Sequence, residues 1–331
     1  MPPATDTLVP VVVTDVVPGD SDDPAIWVHP SAPASSMVLG TDKGDSTGGV
    51  YSFDLRGRVD RARSATPLHR ANNVDVEYGL RRGDGRADVA VATERRRMML
   101  RVFSLPGMRP IDGGGIPVFG GDTARASMGV ALYRRPRDGA IFAIVGGKDG
   151  PTDGSYLQQY ALRDEGGRVS GTLVREFGAY SGRKEIEAIA VDDALGFVYY
   201  SDEGVGVHKY HADPDSGAKE LALFATAGVA GDHEGLAIYA RDSTTGYLLL
   251  SDQQGQRLQV FPREGSAGRP HEHSAIAVIP VRARESDGIE ATSRALGSAF
   301  PRGLLVMMSD GGGFHYYRWE DVQRAIDGAK R

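Results

Sequence analysis

The chain has 331 residues, of which 40% are hydrophobic and 25% charged, with 44 glycines, a net charge of −6 and no cysteine. That composition suits a globular protein with ample material for a core. It argues against a nucleic-acid partner and excludes disulfides, thiol nucleophiles and thiolate metal sites. No apolar run reaches the ~18 residues of a membrane span, so no membrane association is expected. The start, Met1-Pro-Pro-Ala-Thr-Asp-Thr7, lacks the charged and apolar regions of a signal peptide. It is compatible with a cytoplasmic protein or with a mature chain that has gained Met1.

In chain order, residues 8–17 read as a strand with no neighbour to pair with. Six similar units follow, each of short apolar runs separated by Gly, Asp and Asn turns. The first holds runs at 25–29, 37–40 and 49–54, the second at 74–78, 87–93 and 100–104, and the third at 130–133, 141–145 and 156–162. The fourth holds 188–191, 197–201 and 206–210, the fifth 236–239, 247–251 and 258–262, and the sixth 289–291, 304–308 and 314–319. A short helix is predicted over 320–329. The units open on Asp23-Pro-Ala-Ile-Trp27, Asp75-Val-Glu-Tyr78, Met128-Gly-Val-Ala-Leu132, Glu187-Ala-Ile-Ala-Val191, Glu234-Gly-Leu-Ala-Ile238 and Asp287-Gly-Ile-Glu290. A repeat of about fifty residues built from short strands marks a radial β-architecture.

The sixth unit lacks a fourth strand, because its third run leads into the helix and the chain ends. Placing 8–17 as the outer strand of that unit closes a ring and removes an exposed edge. The expected fold is therefore all-β, a six-bladed β-propeller closed by its N-terminal strand and forming a single domain over residues 1–331. An irregular β-sandwich is the alternative, and six like units fit it poorly.

In a propeller the first strand of each blade lines the central channel, so residues at the strand starts gather at one end. Asp23, Asp75, Glu187, Glu234 and Asp287 are expected to form a carboxylate ring there, with Asp22 and Asp232 close by. So many acids together need protons, cationic side chains or hard divalent cations, and their oxygens are the ligand set of Ca²⁺. The turn after each second strand supplies another ring: Asp42-Lys43, Glu94-Arg95, Gly147-Lys148, Asp202-Glu203, Asp252-Gln253 and Asp310-Gly311. Lys43, Arg95 and Lys148 form a cationic half, and the other three blades an acidic half suited to metal. Such a bipolar mouth fits an oxyanion, phosphate above all, held between protein cations and bound metal. A single turn Asp or Lys is by default a solvated surface residue; recurrence in phase sets these apart.

Other signals carry less. His271-Glu-His273 has the wrong spacing for a helical zinc pair and lies in a Gly/Pro/Ser-rich loop. The glycine runs at 113–115 and 311–313 lack the Gly-Lys-Ser/Thr ending of a phosphate loop. Arg95-Arg96-Arg97 is too short for a nucleic-acid patch, and no Gly-x-Ser-x-Gly elbow is present.

At these residues the chain resembles the β-propeller phytases, calcium-dependent alkaline enzymes of the 3-phytase type. The resemblance runs through Asp22-Asp-Pro-Ala-Ile-Trp27, Asn72-Asn-Val-Asp75, Gly147-Lys-Asp-Gly150, Glu187 with Asp192-Asp193, Asp232-x-Glu234-Gly-Leu236, Ser286-Asp-Gly-Ile289, Ser309-Asp-Gly311 and Trp319-Glu320. It implies stepwise release of phosphate from the calcium complex of phytate by metal-activated water, with several Ca²⁺ ions. By position it implies metal or metal-water ligands at Asp23, Glu187, Glu203, Asp232, Glu234, Gln253, Asp287 and Asp310, and Asp75 joins them through the ring. It places phosphate-binding cations at Lys43, Arg95 and Lys148, and adds Asp149, Glu187 and Glu203 to the catalytic set. A secreted or periplasmic monomer is implied as well.

Three positions depart from the family pattern. Met128 stands where a phosphate-binding tyrosine is usual, Asp149 where a Glu is usual, and Gly313 where an Asn follows the last acidic turn. Two other readings stay open: a calcium-dependent propeller lactonase or esterase, and a non-catalytic calcium-binding propeller.

Overall fold

The structure is a computed structural model and describes residues 6–329; residues 1–5, 330 and 331 of the span expected for the domain lie outside it. Six antiparallel sheets stand around a channel, each with its first strand innermost. The inner strands are Ser21–Trp27, Ala71–Arg82, Ser127–Arg134, Ile189–Asp192, His233–Ala240 and Ile289–Thr292. The second strands, Met37–Asp42, Gly85–Glu94, Ile141–Gly147, Phe197–Asp202, Gly246–Asp252 and Leu304–Ser309, return toward the same end of the channel. Every blade ends this strand within a residue or two of the start of its inner strand.

The core is not one mass but six apolar layers, each pressed between two adjacent blades. Ala25, Trp27, Leu39 and Val50 of the first blade meet Val74, Ala90, Ala92 and Phe103 of the second. Ile189, Val198, Tyr200 and Tyr210 of the fourth meet Ala131, Phe142, Ile144 and Phe177 of the third. Both faces of each middle strand are therefore covered, which is why runs such as Ile141–Gly147 are buried throughout. A polar stitch repeats beside four of these layers. The hydroxyls of Thr41, Thr93, Ser201 and Ser251 donate to the carbonyls of Asn72, Met128, Glu234 and Ser286 in the following blade.

The ring closes as the repeat count requires. Val12–Val13 pairs antiparallel with Gly313–Arg318, matching Val12 to Tyr316 and Val13 to His315. Thr14 adds a further tie, its Oγ1 accepting from the Phe314 N–H at 2.9 Å. Leu8 reaches on to the fifth blade, bonded to Pro280 and Arg282. The helix Trp319–Ala329 covers the layer between the last two blades, with the buried Trp319 stacked on Tyr239 at 3.4 Å and 6°. No helix among the described residues is long and apolar enough to cross a membrane.

Removing residues 1–17 leaves the Gly313–Arg318 edge unpaired and uncovers its apolar layer. The shortened chain should melt at lower temperature and associate as its concentration rises, seen by thermal denaturation and light scattering. An unchanged melt and a monodisperse particle would contradict closure by this strand.

Candidate metal and phosphate site at the channel mouth

In four blades the mouth position is made by a bulge, and in the other two Glu187 and Asp287 stand just before the inner strand. In the first blade Ser21 pairs with Asp42 and Pro24 with Gly40, so Asp22 and Asp23 share one gap in the ladder. The same slip lies between Ala71 and Val74, between Ser127 and Val130, and between His233 and Leu236. A bulge turns one of its two side chains away from the alternation of the strand. The mouth thus receives Asp22, Glu187, Glu234 and Asp287. The next residue is glycine where neighbouring blades come closest. A Cβ on Gly235 would lie 2.7 Å from the Asp287 carbonyl oxygen, and one on Gly288 would lie 2.5 Å from Asp23 Oδ1. These glycines let acids from adjacent blades converge.

Two carboxylate trios result, each offering oxygens that lie within 4.8 Å of one another. In the first, Asp22, Glu187 and Asp287 surround Lys43, whose Nζ is 2.8 Å from Asp22 Oδ1 and 2.9 Å from Asp287 Oδ2. Asn72 donates to Asp22 Oδ2 at 2.7 Å and accepts from Arg95 at 3.2 Å, while Gln253 donates to Asp287. Burial pushes Glu187 up to about 8, with the Asp287 charge adding to it. Burial works against the Lys43 ammonium, but Asp22 and Asp287 outweigh it and hold Lys43 above its ordinary value.

The second trio is Glu203, Asp232 and Glu234. Burial, then Glu185 and Asp232, raise Glu203 to about 8, and burial with the Glu187 and Glu203 charges raises Glu234 well above its usual range. Glu234 is 5% exposed, and its Oε2 is buried without a hydrogen-bond partner. An acid so placed needs a proton or a cation. Oxygen donors from two adjacent blades, one of them unsatisfied, fit a hard divalent cation.

Glu187 and Asp287 of the first trio and all three acids of the second open into one cavity of about 540 Å³, shared with Lys43, Lys148, Asp149, Tyr180, Arg183, Lys184 and Glu185, while Asp22 is buried behind Lys43. Lys148 is half-exposed and paired with Glu185 at 2.8 Å. Asp149 stands beside it, with Oδ1 3.4 Å from the Tyr180 hydroxyl. Burial lowers the pKa of Arg95. A larger cavity of about 890 Å³, among the hairpins at the opposite end of the third blade, contains none of these residues.

The expected single ring of acids divides in two. Asp23 and Asp75 are not at the mouth: they line a channel cavity of about 400 Å³ with Asn73, Asp193 and Glu290. Asp23 Oδ2 accepts from Val74 N at 3.0 Å, and Asp75 Oδ2 accepts from Leu132 N. The reason is the bulge: Asp22 and Asn72, not Asp23 and Asp75, fall at the position of Glu187 and Glu234. Burial raises Asp75 to about 7 and lifts Asp23 as well.

The turn ring needs one correction of phase. The second strand of the last blade ends at Ser309, so its pair is Ser309-Asp310 and not Asp310-Gly311. The first member of the pair is structural in most blades. Asp42, Glu94, Asp202 and Asp252 are buried and accept backbone N–H groups of Gly19, His69, Ser181 and Ala230, and Ser309 Oγ accepts that of Arg284. The second member, Lys43, Arg95, Lys148, Glu203, Gln253 or Asp310, carries the variation. Asp310 itself is 60% exposed and 3.7 Å from Arg284. Met128 occupies the mouth position of the third blade but is fully buried.

Sequence reasoning missed Asn72 as a mouth residue, and it missed Tyr180, Lys184 and Glu185. The asparagine could have been found by aligning the bulges. The others lie in the loop between the third and fourth blades, outside the repeat.

A protein-family model described as Phytase matches residues 6–315 of the chain. The 3-phytase of Bacillus subtilis (strain 168) is 29% identical over 309 residues, spanning 88% of this chain and 75% of that protein. Among solved structures, a protein of unknown function from Bacteroides thetaiotaomicron aligns with a TM-score of 0.54 at 14% identity, over 92% of this chain and 72% of the other. A gluconolactonase from Xanthomonas campestris aligns at 0.52 and 14%, over 93% and 88%. At that identity the two structures show a shared fold and no more.

The acids fix the sign of a pH effect. Glu187 and Glu203 are raised from 4.5 to about 8, so between these values the folded chain holds more protons than the unfolded one. Their contribution to stability is complete below the unfolded value and is lost as pH rises through about 8. Metal-free protein in chelator should melt at lower temperature at a pH of about 9 than at about 6, and Glu187→Gln should reduce the difference. A melting temperature that is flat or rises over this range would refute the assignment.

Proposed function

Because the chain belongs to the phytase family, a family of phosphomonoesterases, we propose that it is a calcium-dependent enzyme releasing phosphate from phytate at its channel mouth. The observation that carries this reading is the division of the mouth by sign. Lys43, Arg95 and Lys148 stand on three successive blades; the two lysines line the cavity with the carboxylate trios, and Arg95 meets the first trio through Asn72. A phosphate ester bridges such a site with its oxygens toward the cations and toward bound metal.

Asp22, Glu187 and Asp287 would hold one Ca²⁺, and Glu203, Asp232 and Glu234 another, with Gln253 and Asp310 at the rim of the acidic half. Asp23 and Asp75 are candidates for a separate ion in the channel. When bound, the metal supplies Lewis acidity toward phosphoryl oxygens and toward water. Lys43 lies between the two halves and orients the transferring phosphate; Arg95 and Lys148 bind the non-bridging oxygens, where negative charge accumulates during transfer. Asp149, beside Lys148 and the Tyr180 hydroxyl, positions that lysine. Glu187 and Glu203 face the open cavity beside the proposed metal positions, so they are the groups assigned to hold or accept the proton of the attacking water. The described residues lining the cavity include no Ser, Thr, Cys or His, and with the carboxylates assigned to metal and proton, water is the nucleophile in this reading.

Phosphate release from phytate in the presence of calcium tests the reading directly, with lactones as the contrasting substrates. Lys148→Glu and Arg95→Glu should lower kcat/KM on phytate by about 100-fold or more while leaving calcium affinity near that of the parent. Glu187→Gln and Glu234→Gln should instead weaken calcium binding in calorimetric titration. Equal calcium affinities across all four variants would overturn the division of roles.

Calcium should also raise the melting temperature, since binding to the folded state alone at a hundredfold excess over Kd stabilises by about 2.7 kcal/mol per site. Mg²⁺ should substitute poorly, because it demands tighter octahedral geometry. A melt indifferent to chelator after exhaustive metal removal would count against both carboxylate trios.

A further inference from the structure

The loop between the strands Arg168–Phe177 and Ile189–Asp192 is fastened at its root and free at its tip. Ala179 is bonded through its N–H to the Tyr210 hydroxyl and through its carbonyl to that of Tyr200. Ser181 bonds Asp202 through both its N–H and its hydroxyl, each at 2.7 Å. Tyr180 packs on Tyr156 and donates to the Lys184 carbonyl oxygen, and Glu203 N donates to the Glu185 carbonyl oxygen at 3.3 Å. The backbone at Lys184 is thereby held against the wall of the mouth. Its side chain is 50% exposed and reaches into the cavity, where the ammonium pairs with Asp232.

That pairing gives the two trios unlike counter-ions. Lys43 is only 16% exposed and clamped between two carboxylates. Lys184 touches one acid of the second trio, and Glu234 Oε2 of the same trio is buried and unsatisfied. A tethered ammonium meeting one of three acids neutralises the trio incompletely, and a divalent cation binding all three displaces it from Asp232. The displaced head stays within the cavity that holds Lys43 and Lys148.

We propose that Lys184 is a displaceable counter-cation of the Glu203–Asp232–Glu234 trio, driven off Asp232 by the entering metal and turned toward the substrate phosphate as a fourth phosphate-binding cation. The inference rests on the calcium-dependent reading of the mouth. It makes calcium and phosphate binding mutually reinforcing, because coupling through a shared group is reciprocal.

Calorimetric titration of Ca²⁺ into the metal-free protein, then of inorganic phosphate into the calcium-loaded protein below calcium phosphate saturation, tests both halves. Lys184→Met should bind calcium about threefold tighter than the parent and phosphate about threefold more weakly, with Lys184→Gln behaving alike. Arg183→Met removes a positive charge from the same loop and the same cavity and should leave calcium affinity at that of the parent. Calcium affinity unchanged or reduced in Lys184→Met would overturn the proposal. So would unchanged phosphate affinity, or the same gain in calcium affinity in Arg183→Met. Should the parent release no phosphate from phytate while the Lys184 shifts appear, the catalytic reading fails and the displaceable cation stands.

Discussion

The cost of burying many carboxylates together, loss of hydration first and mutual repulsion second, is the constraint on which the rest of this structure depends. A propeller begins all six inner strands at one end of its channel, and this chain places an acid there in four blades: Asp22, Glu187, Glu234 and Asp287. A second group, Asp23, Asp75, Asp193 and Glu290, lies deeper along the channel wall. Ionising an acid such as Glu187, held at about 8 against an ordinary 4.5, sets several kcal/mol against the fold. That is a substantial part of the roughly 5–15 kcal/mol by which a domain is stable. The opposing terms are spread around the ring: six apolar inter-blade layers, the hydroxyl stitches between neighbouring blades and the strand that closes the circle. No single blade could carry such a mouth.

The same constraint explains why the cations stand where they do. Lys43 sits among Asp22, Glu187 and Asp287, which keep its ammonium protonated above the ordinary lysine range although burial opposes it. Beside it the Arg95–Asn72–Asp22 chain of hydrogen bonds carries cationic influence to the first trio without a direct ion pair. The two positions of each turn have separate duties. Asp42, Glu94, Asp202 and Asp252 accept backbone N–H groups of the segment entering their own blade, so they serve the fold whatever the ligand. The residue after each is released from that duty, and only there does the sign of charge change from blade to blade.

What the sequence made legible follows from this separation. The period, the inner strands, the final helix and the closing role of the N-terminal strand all express apolar pattern and turn chemistry, and these are local. The outer strands Val59–Leu68 and Arg168–Phe177 were not readable, because they alternate weakly and are largely exposed. The choice between Asp22 and Asp23 was equally hidden. Both follow Ser21, and only a bulge pairing Ser21 with Asp42 and Pro24 with Gly40 decides which side chain meets Lys43. Ser309-Asp310 was misphased for a kindred reason, since Ser309 performs with a hydroxyl what four other blades do with a carboxylate. Lys184 gave no signal because its loop lies outside the repeat.

Function in this architecture is thus written at few places. A gluconolactonase shares the propeller at 14% identity, so the ring of sheets by itself selects no reaction. Selection falls to the bulge residue and the second turn residue of each blade, where side chains from different blades meet across the channel. Met128 is buried, its carbonyl held by Thr93, so the third blade contributes no polar side chain at its bulge. Tyr180 and Lys184 bring a hydroxyl and an ammonium to the same side of the cavity from the adjoining loop. A polar group lost from the repeat is thereby offset by groups carried on a connection that the repeat does not constrain.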